Sequence, residues 1–210
     1  MMLGSRTGAW SGKALPYDAE VEWIGKGELG NYIDTGVEVL PDTHYQIKSR
    51  LSTGIASENY AIGQTHLSLN TCCAGSYFHY NELRIGYRLN NAAGRSVDLS
   101  GINEYLADYQ PNIQTISVNG SVVARASQAS VIAGGGNIAI GKRGTIEADT
   151  NTKYYYISII VDGKLVRDLI PVRFTNENGE SEGAMYDKVS GQLYRNAGTG
   201  AFIIGPDKTT

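Results

Sequence analysis

The stretch KYYYISIIVDGKLVRDLIPVRF, residues 153–174, decides the fold of this chain. Two apolar runs flank Asp162-Gly163, and an Asp-Gly pair in that position predicts a β-hairpin, because both turn residues must accept a positive φ. The first run is apolar on both faces, which is typical of a central strand that is covered on both sides. Pro171 has no backbone N–H, so the second strand is expected to end, or to meet a sheet edge, at that residue.

Alternation with a period of two continues outside this hairpin. In THYQIKSRL, residues 43–51, one face carries Tyr45, Ile47 and Leu51, and the other carries His44, Gln46, Lys48 and Arg50. ELRIGYRL, residues 82–89, repeats the pattern with Arg84 and Arg88 outward. Further hairpins are predicted at Asn119-Gly120 and Ser190-Gly191, and NIAIGKRG, residues 137–144, predicts a short strand. The single helix candidate is GINEYLADY, residues 101–109, which is also compatible with a turn.

Many short strands with Gly-containing turns predict an all-β protein, specifically a two-sheet antiparallel β-sandwich. With 210 residues and 41% hydrophobic side chains the chain can bury one large core. We expect a short irregular arm over residues 1–14, the sandwich domain over residues 15–206 and a C-terminal tail over residues 207–210. Leu3 and Trp10 are the large apolar residues of the arm, so they are its candidate contacts with a partner subunit.

Composition and charge argue against several kinds of partner. The net charge is -3, and no segment concentrates basic residues as a nucleic-acid groove requires. No apolar run approaches the roughly 20 residues that span a bilayer, so membrane insertion is not expected. The N-terminal residues have no apolar core of a secretory signal. Cys72 and Cys73 are adjacent and are expected to be ordinary free thiols, which suits synthesis in a cytoplasm.

Both ends of the chain resemble a known family. LPYDAEVEWIGKGELGNYIDTGV (residues 15–37), IIVDGKLVRDLIPVRF (159–174) and GAMYDKVSGQLYRNAGTGAFIIG (183–205) are similar to the concanavalin A-like, or laminin G-like, jelly-roll domains found in proteins of gut bacteria and their phages. The resemblance implies a lectin-like sandwich, a fold that hosts lectins, glycanases and structural modules. Among the matched residues, turn chemistry predicts positive φ or close backbone approach at Gly36, Gly163, Gly191, Gly198 and Gly200, and backbone N–H bonds to Asp34 and Asp187.

Catalysis is not predicted, because the residue patterns that it requires are missing. Related glycanases carry Glu-x-Asp-x-Glu on one strand, and the nearest pattern here is Asp18, Glu20 and Glu22, for which a solvated edge is the simpler interpretation. The histidines His44, His66 and His79 do not have metal-ligand spacing. No cofactor is predicted, but the resemblance makes calcium possible, with Asp149, Asn151, Asp162 and Asp187 as oxygen ligands among which the spacing does not select.

The remaining candidate is a basic surface edged by aromatic residues. If the strands that carry Lys48 and Arg50 and those that carry Arg84 and Arg88 are neighbours, they form a patch with Tyr80 and Asn81 that could bind an anionic glycan. The competing interpretation is that these charges are solvated and paired with nearby acids.

Three functions follow from these observations. The first is a non-catalytic module of a phage virion (head decoration, fibre or tail appendage) that serves structure or adhesion and binds host-surface glycans. The alternative is a secreted or surface carbohydrate-binding module of a bacterium, and a glycoside hydrolase is the weakest of the three. The corresponding locations are the virion and, for the alternative, the extracellular space or cell surface. Expected partners are other virion or surface proteins, a polysaccharide and further copies of this chain.

Overall fold

The computed structural model describes residues 14–40, 42–50, 59–64, 75–79, 82–86, 96–98, 104–110, 113–127, 136–143, 146–147 and 152–209. Nineteen strands and no helix occur in these ranges, so the all-β prediction is confirmed. The strands are β1 (Ala19–Glu20), β2 (Ile24–Lys26), β3 (Ile33–Glu38), β4 (His44–Arg50), β5 (Asn59–Gln64), β6 (Gly75–His79), β7 (Glu82–Gly86), β8 (Ser96–Asp98), β9 (Tyr105–Tyr109), β10 (Ile113–Val118), β11 (Ser121–Ser127), β12 (Asn137–Ile140), β13 (Lys142–Arg143), β14 (Ile146–Glu147), β15 (Lys153–Val161), β16 (Lys164–Thr175), β17 (Ser181–Asp187), β18 (Gln192–Tyr194) and β19 (Phe202–Ile204).

These strands form two main antiparallel sheets. The first sheet has the order β11-β10-β9-β4-β15-β16-β17-β18, and β1 is added beside β16 while β2 pairs with both β15 and β19. The second sheet has the order β3-β12-β5-β6-β7-β8, and β13 and β14 form a separate two-stranded ribbon. The hairpin at residues 153–174 supplies β15 and β16, which lie at the centre of the first sheet; the sequence predicts the central position for the first of these two strands.

The hydrophobic core lies between the two sheets. The first sheet contributes Tyr45 and Ile47 of β4, Ile157 of β15 and Leu169 of β16, among others. The second sheet contributes Ile33, Ile62, Ile138 and Ile140. Since each sheet turns one apolar face to the other, the β-sandwich character of the prediction is confirmed. A smaller apolar cluster lies on the opposite face of the first sheet, around Ile170, Val172, Phe174 and Ala184.

The three predicted hairpins are confirmed. Asn119 and Gly120 join β10 to β11 with φ values of 50° and 78°, and Asp162 and Gly163 join β15 to β16 with 50° and 69°. Positive φ at both positions is the signature of a type I′ turn, whose twist matches that of the paired strands. The third hairpin joins β17 to β18 through residues 188–191, with Gly191 at φ 71°.

The helix candidate at residues 101–109 is wrong for the part that is described. Tyr105–Tyr109 forms strand β9, paired with β4 on one side and β10 on the other. Tyr105, Ala107 and Tyr109 are buried while Leu106 and Asp108 face outward, so the period is two, not 3.6. Residues 101–103 lie outside the described residues.

Of the two expectations for Pro171, a strand end or a sheet edge, the strand end is wrong, because β16 continues to Thr175. Pro171 lies where the neighbour of β16 changes: Leu169 is the last residue paired with β15, and Val172 already pairs with β1. The Pro171 carbonyl accepts a hydrogen bond from Val21 N (3.1 Å) on that side. Since N–H and C=O of one strand residue point to the same neighbour, the missing donor faces this junction and the ladder with β17 loses nothing.

Candidate functional site

A groove of about 430 Å³ crosses the outer face of the first sheet. Its volume falls in the range of small-ligand sites. The lining residues come from β15, β4, β9, β10, the residue before β9 and the turn after β10: Tyr156, Gln46, Lys48, Glu104, Tyr105, Leu106, Ser117, Asn119 and Gly120. The groove therefore combines an aromatic ring, an aliphatic side chain and several planar or hydroxyl polar groups.

Strand register assembles the groove. Tyr156 pairs with Lys48, Lys48 with Leu106, and Leu106 with Ser117, so these four side chains form one row across β15, β4, β9 and β10. Residues that are directly opposite in antiparallel strands project from the same face of the sheet. Three strand spacings make the row about 14 Å long, which suits an extended ligand that runs across the strands.

A β-bulge brings a second tyrosine to the same end of the groove. Tyr154 pairs with Ser49 and Tyr156 with Lys48, so Tyr155 is an extra residue without an opposite partner in β4. Bulges interrupt strict alternation and redirect side chains. Tyr154 is fully buried in the core, whereas the Tyr155 ring lies beneath Lys48, whose Nζ is 5.2 Å from the ring centroid. Tyr155 and Tyr156 therefore both lie on the outer face of the first sheet.

The charged groups of the groove are paired with each other. Lys48 Nζ lies 2.7 Å from Glu104 Oε2. The Tyr155 hydroxyl also donates to Glu104, and burial together with this carboxylate raises the pKa of Tyr155 to about 12. Burial likewise raises the pKa of Tyr156, whose hydroxyl hydrogen-bonds to Ser158 and Asp168. At neutral pH both tyrosines are uncharged, and the lining carries one positive and one negative side chain.

The neighbouring row of the same face contains Asp108, which pairs with His44. That row consists of Ser158, Gln46, Asp108 and Thr115 in register. His44 Nε2 is 2.6 Å from Asp108 Oδ1, and Gln110 Nε2 donates to Asp108 Oδ2 at 3.2 Å. Asp108 is thus held by two side chains beside the groove rather than projecting into it.

The predicted basic patch is not assembled as the sequence analysis required. Lys48 lines the groove and Arg50 is exposed on the same strand, but Arg84 belongs to β7. Since β4 and β7 lie in different sheets, they are not neighbours. For Lys48 the competing interpretation, a surface charge paired with an acid, is the one observed. The side chain of Arg84 and all of Tyr80, Asn81 and Arg88 lie outside the described residues, as do Leu3 and Trp10 of the arm.

The carboxylates of the entry segment make surface contacts. Asp18 Oδ2 accepts a hydrogen bond from Thr175 Oγ1 (2.7 Å), and Glu20 lies 3.6 Å from Lys208 Nζ. Glu22 is exposed. This agrees with the solvated edge that the sequence favours.

The acidic residues considered as calcium ligands have other contacts. Asp187 is fully buried and accepts three backbone N–H groups, and Asp162 N donates to Asp42 Oδ2 at 3.0 Å. Asp149 and Asn151 are outside the described ranges. Within those ranges, no group of three His, Cys, Asp or Glu residues could hold a metal ion. No helix in the described part of the chain is long and apolar enough to cross a membrane.

No protein-family model matches the sequence, and no curated protein does either.

Sequence reasoning missed most of the groove. Tyr155, Tyr156, Glu104, Leu106 and Ser117 were not recognised as site residues. For Leu106 a signal was present, because the alternation of Tyr, Ala and Tyr in YLADY indicates a strand with Leu106 and Asp108 outward. For Tyr155 no local signal exists, since the bulge is defined only by the pairing with β4.

Proposed function

We propose that this chain is a non-catalytic glycan-binding adhesion module with a concanavalin A-like jelly-roll sandwich. The observation that carries the proposal is the groove, in which Tyr156 stands beside Lys48, Glu104 and Gln46 on one sheet face and Tyr155 lies beneath Lys48. Sugars present apolar C–H faces and a rim of hydroxyl groups. A half-buried aromatic ring accepts the former, and planar amides and carboxylates bind the latter.

Each side of the groove contributes one part of this recognition. Tyr156 and Leu106 supply apolar surface, while Gln46 and Asn119 offer both donors and acceptors through their amides. Ser117 adds a hydroxyl group at the far end of the row. The floor is formed by paired strands, so the sandwich preorganises most of the site, and the turn after β10 adds Asn119 and Gly120.

The non-catalytic part of the proposal is supported by the contacts of the carboxylates near the groove. Glycoside hydrolysis requires two carboxyl groups across the scissile bond, one of which is free to act as acid. Glu104 is the one carboxylate among the described lining residues, and it is held by Lys48 and Tyr155. Asp108, in the neighbouring row, is held by His44 and Gln110.

The resemblance of both chain ends to phage and gut-bacterial domains supports a setting on a virion, where the module would contribute to structure and host adsorption. A bacterial surface or secreted module is the alternative, and it would use the same groove. Several copies on one particle would give avidity to a weak single site. Mass spectrometry of purified particles distinguishes the two: the chain is expected among virion proteins, and its presence only in bacterial envelope or culture supernatant supports the alternative.

The binding proposal is tested by a glycan array with the purified chain, run in calcium and again in chelator. Tyr155→Ala and Gln46→Ala are expected to weaken binding about tenfold, the effect of losing one good contact. Tyr32→Ala and Gln192→Ala are the matched controls, because Tyr32 also lies beneath a lysine (Lys142 Nζ, 4.2 Å from the centroid) and Gln192 is exposed on β18. Equal binding by site and control variants, or no binding by the wild type, would refute the proposal.

A further inference from the structure

The charge balance of the groove restricts which glycans suit it. Lys48 is the one cation among the described lining residues, and its ammonium group is 2.7 Å from Glu104. Tyr155 reinforces the pair, since its hydroxyl donates to the same carboxylate and its ring lies beneath Lys48. The three side chains together carry no net charge, and the two further charges that act on Tyr155, those of Arg50 and Glu22, are opposite in sign.

We propose that the groove binds an uncharged oligosaccharide and discriminates against glycans that carry carboxylates. This inference rests on the proposed function and specifies its ligand class. It also replaces the expectation of an anionic glycan, which required Lys48 and Arg50 to combine with the arginines of a neighbouring strand.

The electrostatic reason is local. A ligand carboxylate that approaches Lys48 also approaches Glu104, so attraction to one is offset by repulsion from the other. A ligand carboxylate that accepts from a remaining N–H of Lys48 is held close to Glu104, so the repulsion between the two carboxylates persists unless the ion pair opens. Arg50 follows Lys48 by two residues on β4 but is not part of the lining.

Sugar hydroxyl groups, unlike carboxylates, can bind to the cluster of Lys48, Glu104 and Tyr155 without repulsion. A carboxylate has about four lone-pair sites and an ammonium three protons, so Glu104 and Lys48 can keep their ion pair and still bind neighbouring hydroxyls of one sugar. Glu104 then accepts from one hydroxyl while Lys48 donates to the next. Gln46 and Asn119 continue this pattern with amides, whose donor and acceptor ends match uncharged polyols.

The shape of the groove favours an oligosaccharide over a single sugar. The row of Tyr156, Lys48, Leu106 and Ser117 spans four strands, and the polar groups of Glu104 and Asn119 are spread along it. A single ring in contact with Tyr156 would leave the β10 end empty. A chain of sugars that runs across the strands contacts both ends.

The test uses matched pairs of ligands that differ only at one carbon. Titration calorimetry with the full chain compares manno-oligosaccharides with mannuronate oligosaccharides, and gluco- and galacto-oligosaccharides with their uronate counterparts. We expect at least one neutral ligand to bind at least about tenfold more tightly than its uronate. We also expect its affinity to change less than about twofold between low and high salt, because no ligand charge is screened.

Glu104→Gln gives a second readout. This change keeps the shape of the side chain but releases Lys48 from its ion pair, so uronate affinity should rise about tenfold and become sensitive to salt. Glu177→Gln, an exposed glutamate in the turn after β16 and away from the groove, is the control and should have no effect. Tighter, salt-sensitive binding of a uronate by the wild type would overturn this inference and leave glycan binding intact, whereas binding of neither ligand class would count against the proposed function itself.

Discussion

At the scale of single residues, Asp187 is the polar side chain on which the third hairpin depends. It is fully buried and accepts from the backbone N–H groups of Asp168 (2.8 Å), Val189 (3.1 Å) and Ser190 (3.2 Å), and from Ser190 Oγ at 2.6 Å. Arg167 Nη1 lies 3.8 Å away and offsets the buried charge. The predicted role of Asp187 as an acceptor in a turn is confirmed.

Asp187→Ala should lower the free energy of unfolding by about 3 kcal/mol or more, because it leaves several buried donors without an acceptor. Urea denaturation measures this loss. Asp34→Ala is the matched control, since Asp34 accepts one backbone bond at the surface, from Gly36 N at 2.9 Å; it should cost about 1 kcal/mol. Equal losses in the two variants would contradict the account.

Tyr155 should make the protein sensitive to alkaline pH. Burial and the nearby Glu104 carboxylate raise its pKa from 10.0 to about 12, so the folded state holds the phenol proton more tightly than the unfolded chain. The resulting stabilisation is complete below pH 10 and is lost as the pH rises toward 12. Absorbance titration of the wild type minus Tyr155→Phe should give a midpoint near 12. Glu104→Gln should lower the titration midpoint of Tyr155. A midpoint at the ordinary tyrosine value in the wild type would exclude the contact between Tyr155 and Glu104.

At the scale of the strand, local turn chemistry was predictable and partner exchange was not. Asp162-Gly163 and Asn119-Gly120 define their hairpins within four residues, so the sequence is sufficient. A proline inside a strand breaks the rule that each strand residue can donate a backbone N–H to its neighbour, but only if β16 keeps the same neighbour along its whole length. At Pro171 the neighbour changes from β15 to β1, so the strand can accommodate the proline. The bulge at Tyr155 also could not be predicted from the sequence, since it depends on the register of β15 with a strand about one hundred residues away.

Deletion of Tyr155 tests the bulge as an element. Tyr154 pairs with Ser49 and Tyr156 with Lys48, so removal of the residue between them restores a regular ladder with both registers unchanged. The variant should fold with the same far-UV circular dichroism and a stability within about 1 kcal/mol of the wild type. Its glycan affinity should fall as far as that of Tyr155→Ala. Unfolding of the variant, with Tyr155→Ala still folded, would instead give the bulge a structural role.

Two glycine positions separate backbone strain from steric overlap. Gly163 has φ 69° and open space around an added Cβ, so Gly163→Ala should cost about 1 kcal/mol from the left-handed conformation alone. Gly198 has no positive φ, but an added Cβ would overlap the Gly30 carbonyl. Gly198→Ala should therefore cost more, about 2–3 kcal/mol. Chemical denaturation orders the two variants, and the reverse order would be inconsistent with these backbone positions.

At the scale of the whole molecule, the candidate site depends on which strands share a sheet. The alternation in residues 43–51 correctly predicts that Lys48 and Arg50 face outward from a buried row. It cannot tell that β9, β10 and β15 lie beside β4, whereas β7 lies in the other sheet. Outward residues can be read from periodicity, but their neighbours across the sheet are set by long-range pairing. The same residue, Lys48, therefore belongs to a neutral groove and not to a basic patch.

The two ends of the sandwich domain close on each other, and this closure should contribute to stability. Pro206 O accepts from Glu22 N (2.8 Å), Lys208 N donates to Glu20 O (2.9 Å), and Asp207 pairs with Arg173 at 2.8 Å. The segment predicted as a tail from residue 207 therefore begins with residues that bond to the first strand and to β16. Removal of these residues would break the contacts that hold β1 in the first sheet, at the point where β1 takes the place of β15 beside β16.

Truncation after Gly205 should lower the thermal unfolding midpoint by several degrees, because the backbone bonds to Glu20 and Glu22 are lost together and β1 keeps only its pairing with β16. Truncation after Lys208 keeps all three contacts and should leave the midpoint unchanged. Differential scanning calorimetry of the two shortened chains makes the comparison. Equal midpoints would mean that β1 holds its place through β16 alone. A loss confined to the shorter chain would extend the sandwich domain to Lys208.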